Sequence, residues 1–285
     1  MQDMEKDYLE TTRKNLLLAF VLVVIIIIVA LLFSGPKQAR VPKLINSQTV
    51  VSKEENIVKN TFEVRQIKKD DKYVNFDIKY PYFFYTGPDF NNEIKDFVET
   101  QVEAHSITSK EAWQARYQNR TDEYDISKFP KNNDEKFYFF SDFEVVQSNS
   151  SYVSVVIHYG GFGGGAHGYE NRVSFSYDIK NKKKIELIDL FAGEVNYLSF
   201  LSEYSRKHFK ELLEEKIKET FTEKDDKNAV QDYVTNYIMM IEGGTKPTKE
   251  NFSVFSFTKD KIIIYFGQYQ VGPYSDGMHE LEIFR

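Results

Sequence analysis

The stretch GGFGGGAHGYENRVSFSYD, Gly160–Asp178, holds six of the chain's fourteen glycines in its first nine positions. Within it Gly163, Gly165 and Gly168 satisfy G-x-G-x-x-G, the spacing of a dinucleotide-binding turn. That turn works because a helix starts at the glycines and presents its free N–H groups to a pyrophosphate. Here the residues that follow, Arg172–Asp178, alternate polar and apolar as a strand does, and no Gly-Lys-Ser or Gly-Lys-Thr completes a phosphate loop. The glycines are therefore read as backbone devices that supply positive φ, bulges and close approach between two strands. Gly164, Gly165, Ala166 and Gly168 form this structural loop, and neither a nucleotide nor another cofactor is expected.

Outward from the loop, the pattern is strands, then helices, then strands. Val74, Phe76, Ile78 and Tyr80 alternate on one face until Pro81, which is expected to end the strand. Ile94, Phe97, Val98 and Val102 recur at helical spacing after Asn91 or Asn92, either of which can cap. The stretch from Ser106 to Asp134 shows no clear period. Strands return at 136–146, 152–159 and 172–178, the last ending in the polar turn Lys180–Lys184. A long helix follows, with an apolar stripe of Val195, Leu198, Leu201, His208, Leu212 and Ile217, and a second one near 229–240 that Gly243 and Gly244 would stop. Two strands, 252–257 and 262–266, precede an aromatic tail. This order specifies an α+β class rather than a parallel nucleotide-binding sheet.

Composition excludes several chemistries. The net charge of −6 lacks the basic stripe that nucleic acid would need, and without a single cysteine there are no disulfides, thiol nucleophiles or cysteine zinc sites. His158 and His167 flank the glycines and His279 sits in the tail, so a three-histidine metal site is the one enzymatic alternative, a metal-assisted envelope hydrolase. No H-E-x-x-H or spaced carboxylate motif accompanies these histidines, so no metal is assigned and the chain is read as non-enzymatic. In that reading His167 orients the loop by bonding neighbouring backbone groups, and His208 belongs to a core. The segment GPYSDG, Gly272–Gly277, has the wrong spacing for a serine elbow and reads as a turn ended by Gly277.

Leu16–Phe33 runs for eighteen residues without a polar side chain, and sixteen of them are Leu, Ile, Val or Phe. At a rise of 1.5 Å per residue it covers about 27 Å, close to the hydrocarbon thickness of a bilayer. No small-x-small cleavage site follows, so it is read as an uncleaved signal anchor. Arg13 and Lys14 abut it more closely than Lys37, Arg40 and Lys43 do, which favours a cytoplasmic amino terminus. The expected organisation is a head over 1–15, an anchor over 16–33, a linker over 34–55, and two extracytoplasmic α+β domains over 56–170 and 171–285.

At GGAHG, Gly164–Gly168, then Asp189-Leu190-Phe191, then Tyr269, Pro273, Tyr274 and Gly277, the chain resembles the paired PdaC/RsiV-like extracytoplasmic domains of unknown function. Tyr73–Phe83, YVNFDIKYPYF, is similar to the first half of the pair. The resemblance implies a bacterial envelope module of antiparallel sheets with packed helices. It also implies a ligand that is a lysozyme-like protein or peptidoglycan. Fifteen residues before Leu16 are too few for sigma-binding helices, and no deacetylase segment follows in the sequence, so binding or sensing without those modules is expected. His167, Tyr269, Pro273 and Tyr274 are the candidate contact residues, the tyrosines because they offer stiff amphipathic faces at low entropy cost. A structural partner in a larger membrane complex is the remaining alternative.

Overall fold

The computed structural model describes residues 61–117, 136–193, 196–222 and 224–284. The expected head, anchor and linker lie outside these residues. Among the described residues no helix is long and apolar enough to cross a membrane. The described residues form a mixed α+β architecture, with one six-stranded sheet, one three-stranded sheet and three α-helices among them.

The larger sheet takes its strands in sequence order: β1 (Phe62–Asp70), β2 (Val74–Phe83), β3 (Phe137–Ser148), β4 (Tyr152–Phe162), β5 (Tyr169–Asp178) and β6 (Lys183–Lys184). Every pairing is antiparallel except β2 with β3. A parallel neighbour requires a long crossover, and helix α1 (Pro88–Tyr117) lies within it. Pro88 opens the helix at the position where a missing N–H costs nothing. Its apolar side, with Ile94, Val98 and Trp113 buried, packs on Phe76, Ile78 and Phe139 of the sheet.

Pro81 does not end β2. Phe84 donates its N–H to the Thr61 carbonyl at 3.2 Å, which places the hydrogen-bonded pairs at odd-numbered β1 residues and leaves Val64 opposite Pro81 in a non-bonded pair. The proline nitrogen therefore faces away from β1, and the pairing with β3 has already stopped at Ile78. Asn91 likewise does not cap α1. Lying inside its first turn, it accepts the Phe83 N–H at 2.8 Å and donates to the Phe83 carbonyl at 2.8 Å, pinning the helix to the end of β2. The stretch after Ser106 that showed no period is helical as far as Tyr117.

The smaller sheet is a meander of β7 (Phe255–Phe257), β8 (Lys261–Phe266) and β9 (His279–Phe284). β9 falls in what the sequence presented as a tail. Its pattern is short and charged, HELEIF, with Leu281 and Ile283 buried and His279 half-buried on the same face. Helices α2 (Tyr197–Thr220) and α3 (Lys227–Gly244) complete a second core around Leu201, Phe209, Ile241, Phe252 and Phe266. The buried line of α2 is Tyr197, Leu201, Ser205, Phe209 and Leu213, whereas Leu212 is 41% exposed. Apolar residues alone misplace the stripe, because Ser205 hides on the buried face by donating to the Leu201 carbonyl at 2.5 Å. Val195 lies outside the described residues. Gly243 and Gly244 belong to α3, which Thr245 caps. A Cβ on Gly244 would overlap the Gln270 carbonyl, so the absent side chain admits the closing loop.

The expected boundary at 170/171 falls inside β5, which the larger sheet retains. The two sheets meet on the face of the larger one that α1 leaves open. Val156 packs there with Ile263 and Tyr265, and Ser174 and Ser154 accept the backbone N–H groups of Phe255 and Phe257 at 2.9 and 3.3 Å. Serine hydroxyls thus satisfy donors that β7 would otherwise bury unpaired.

Candidate functional site

The glycine loop connects β4 to β5, and its glycines do two separate jobs. Gly160 and Gly161 are strand residues: a Cβ on the first would overlap the Tyr169 carbonyl and one on the second the Tyr138 carbonyl. They let β4 pass between neighbours without side chains on that stretch. Gly164 has φ of 89° and faces the Phe137 ring, where a Cβ would come within 2.8 Å. Gly163 has open space around it, and Gly165 and Ala166 stand exposed at the tip. As the alternation implied, a strand and no helix follows, so the loop offers no helix N-terminus to a phosphate.

The loop meets the segment between β8 and β9. His167 lays its ring on Tyr274, centroids 3.8 Å apart with 27° between planes, and places Nδ1 2.8 Å from the Gly168 carbonyl. Because a carbonyl only accepts, Nδ1 carries the proton of that bond. Nε2 lies 3.4 Å from the Tyr269 hydroxyl. Tyr274 donates to the Gly168 carbonyl at 2.8 Å, and its ring sits 5.6 Å from that of Tyr269. The Glu170 N–H donates to Gln268 at 3.2 Å. Residues a hundred positions apart therefore build one aromatic surface, on which Tyr269 is 54% exposed and takes the left-handed φ of 62°.

The closing segment is shaped from beneath. Pro273 leads into a single 3-10 turn, Tyr274–Asp276, and Gly277 ends it at φ 72°. Asp276, its side chain 8% exposed, accepts from both Lys216 of α2 and Tyr237 of α3. Burial alone would raise the Asp276 carboxyl, but the hydrogen bonds from Lys216 and Tyr237 outweigh it and hold the group below the ordinary carboxylate range. The same turn packs against Tyr237 so tightly that a Cβ on Gly272 would come within 2.7 Å of its hydroxyl. Tyr274 on the upper side and Asp276 on the lower side thus orient the turn together.

The three histidines of the metal alternative do not gather. His158 sits midway along β4 and takes a 3.2 Å bond from Arg172 Nε; burial and the Arg172 charge both lower its pKa. His279, on β9, packs edge-on to Phe209, and burial lowers its pKa too. Among the described residues no group of three or more His, Cys, Asp or Glu could hold a metal ion. His208 is half-buried beside the Phe209 ring.

Sequence reasoning missed His105. It lies in α1 directly under the loop, its ring tilted 33° against that of Phe139 with centroids 4.8 Å apart, with Nδ1 3.2 Å from the Tyr169 hydroxyl and the side-chain-free Gly161 beside it. Its signal was present as a continuation of the Val98, Val102 period, obscured by the polar run around it. Gln268 and Asp276 carried no signal, since polar loop residues look alike until a partner is in place.

Two family matches cover this framework. Residues 67–170 match a family described as Deacetylase PdaC, and residues 188–284 match DUF3298, a family of unknown function. The peptidoglycan-N-acetylmuramic acid deacetylase PdaC of Bacillus subtilis (strain 168) is 26% identical over 209 residues, or 73% of this chain. The chain spans 37% of the length of that relative. A DUF3298 family member from Bacteroides fragilis has a TM-score of 0.48 at 18% identity, covering 78% of this chain and 89% of its own. A DUF3298 protein from Pseudomonas aeruginosa PAO1 has a TM-score of 0.47 at 16% identity, covering 78% and 88%.

Proposed function

The chain carries a PdaC domain followed by a DUF3298 domain, and from this premise we propose that it is an extracytoplasmic cell-envelope module that binds or senses a ligand and transforms none. In this reading Leu16–Phe33 anchors the chain with its amino terminus in the cytoplasm. The ligand is a lysozyme-like protein or peptidoglycan. One observation carries the proposal: His167, Tyr269 and Tyr274 come from both family segments' loops and end packed together as one partly exposed aromatic surface. Such rings offer contact area that has already lost its freedom, so little entropy remains to oppose binding. The relative's printed activity on peptidoglycan supports an envelope ligand.

The test is binding of the full chain in detergent micelles to purified sacculi and to immobilised lysozyme, with Tyr274→Ala alongside. Retention on one of the two, weakened about tenfold or more by the substitution, is expected. Retention on neither, or substrate turnover by the purified chain that depends on His167, refutes the proposal.

A further inference from the structure

The face of the larger sheet turned away from α1 is only partly covered by the smaller sheet, which packs at the Val156 end. Toward the glycine loop the same face carries a second set of rings. Tyr138 and Phe140 alternate with the buried Phe137 and Phe139 and point outward, and Phe162, in register with Tyr138, stands at the strand end with its ring also edge-on to Phe137 at 5.9 Å. Tyr138 and Phe140 have centroids 6.5 Å apart at 24°, and Tyr138 and Phe162 have centroids 6.3 Å apart at 26°. Tyr138 is therefore stacked on both of the other rings.

They can lie this way because β4 has no side chain at Gly160. The Phe140 ring tip reaches 3.1 Å from where a Cβ of Gly160 would stand, so the ring occupies the volume that any other residue would fill. Tyr138 leans the other way, its hydroxyl 3.1 Å from the Cβ position of Gly168, the residue whose carbonyl holds Tyr274. The strip is thus continuous with the His167, Tyr269 and Tyr274 surface. Tyr138 is 46% exposed, far more than a core ring. Polar groups border the strip: Asp142, paired with Lys79 at 3.1 Å, follows Phe140 on the same face, and the exposed Glu170 lies in register with Gly160.

We propose that Tyr138, Phe140 and Phe162 form a saccharide subsite that takes the pyranose faces of a β-linked amino-sugar chain. A pyranose presents a flat C–H face to a ring and hydroxyl and acetamido groups at its edge. A strip of aligned rings with carboxylates and an ammonium at its margin matches both requirements. A lipid chain would leave the marginal acceptors and the Lys79 ammonium unused. The proposal rests on the envelope-binding reading and narrows it to the glycan.

The full chain in micelles is titrated with soluble N-acetylglucosamine tetramer and hexamer, followed by calorimetry and by saturation transfer to the sugar protons. Binding is expected, tighter for the longer oligomer, with Tyr138 ring signals shifting. Tyr138→Ala and Tyr138→Leu should each weaken it about tenfold; the Leu variant keeps apolar volume on an exposed site, so its loss assigns the effect to the ring face. Oligomer binding that ignores both variants and leaves the Tyr138 signals in place overturns the assignment. Lack of oligomer binding also overturns it, while retention on lysozyme or sacculi with Tyr274 dependence would leave the broader reading intact.

Discussion

Replacing Asp276 by Ala should destabilise the second core by about 3 kcal/mol, and the reasoning can be followed atom by atom. The carboxylate accepts one bond from the Lys216 ammonium, one from the Tyr237 hydroxyl and a longer one, 3.2 Å, from the exposed Ser275 hydroxyl, and its side chain is 8% exposed. Hydrogen bonds to a charged group contribute on the order of 1.5 to 3 kcal/mol each. Lys216 is 34% exposed and can turn to water, so its share is taken at the low end. Tyr237 cannot, and its hydroxyl is left without its acceptor. Asp276→Asn keeps one oxygen to accept from Tyr237 but loses the charge that Lys216 answers, and should cost about half as much. Urea unfolding followed by circular dichroism reads the helix signal, more than half of which α2 and α3 supply among the described helices. The single Trp113 lies in the first core and serves as an internal control. Because the folded Asp276 pKa lies below its unfolded value, the contribution is complete above about pH 3.9 and disappears as pH falls through the folded value. The Ala variant should therefore lose less stability than the native chain over that acid range. A cost under about 1 kcal/mol for Ala, or an Asn variant as damaged as Ala, would refute the assignment of this carboxylate as the anchor of the closing turn.

Two further outcomes follow from the loop and the buried histidines. Gly161→Ala should destabilise by about 2 to 4 kcal/mol because its Cβ meets the Tyr138 backbone, whereas Gly163→Ala, with open space, should change stability by less than about 0.5 kcal/mol; thermal melts of both variants check the contrast. Burial depresses the pKa of His105, His158 and His279, so the unfolded chain takes up protons first. Stability is then complete above about pH 6.5 and falls as pH drops through the folded values, and a His105→Phe variant should show a shallower fall in urea midpoints across that range.

Local regularities were legible wherever one residue type decides a backbone outcome. The alternation after Gly168 by itself excludes a nucleotide turn, and the positive φ of Gly164 and Gly277 is what glycines at such positions supply. Patterns failed where a polar residue faces inward. Ser205 displaced the α2 stripe by one position, His105 concealed the continuation of α1, and the charged HELEIF disguised a strand. Pro81 misled for a different reason: whether its missing N–H matters depends on which strand lies beside it, a property of register.

The sequence by itself determined the α+β class, the strand after the glycines and the apolar Leu16–Phe33 run, because hydrophobic period and glycine φ act over a few neighbouring residues. Only the tertiary structure decided that His167 rests on Tyr274, that Gly160 leaves room for the Phe140 ring, and that Asp276 is held by two helices. Those contacts join positions twenty to more than a hundred residues apart. Their formation depends on how two separate cores bring loops together, which no local pattern encodes.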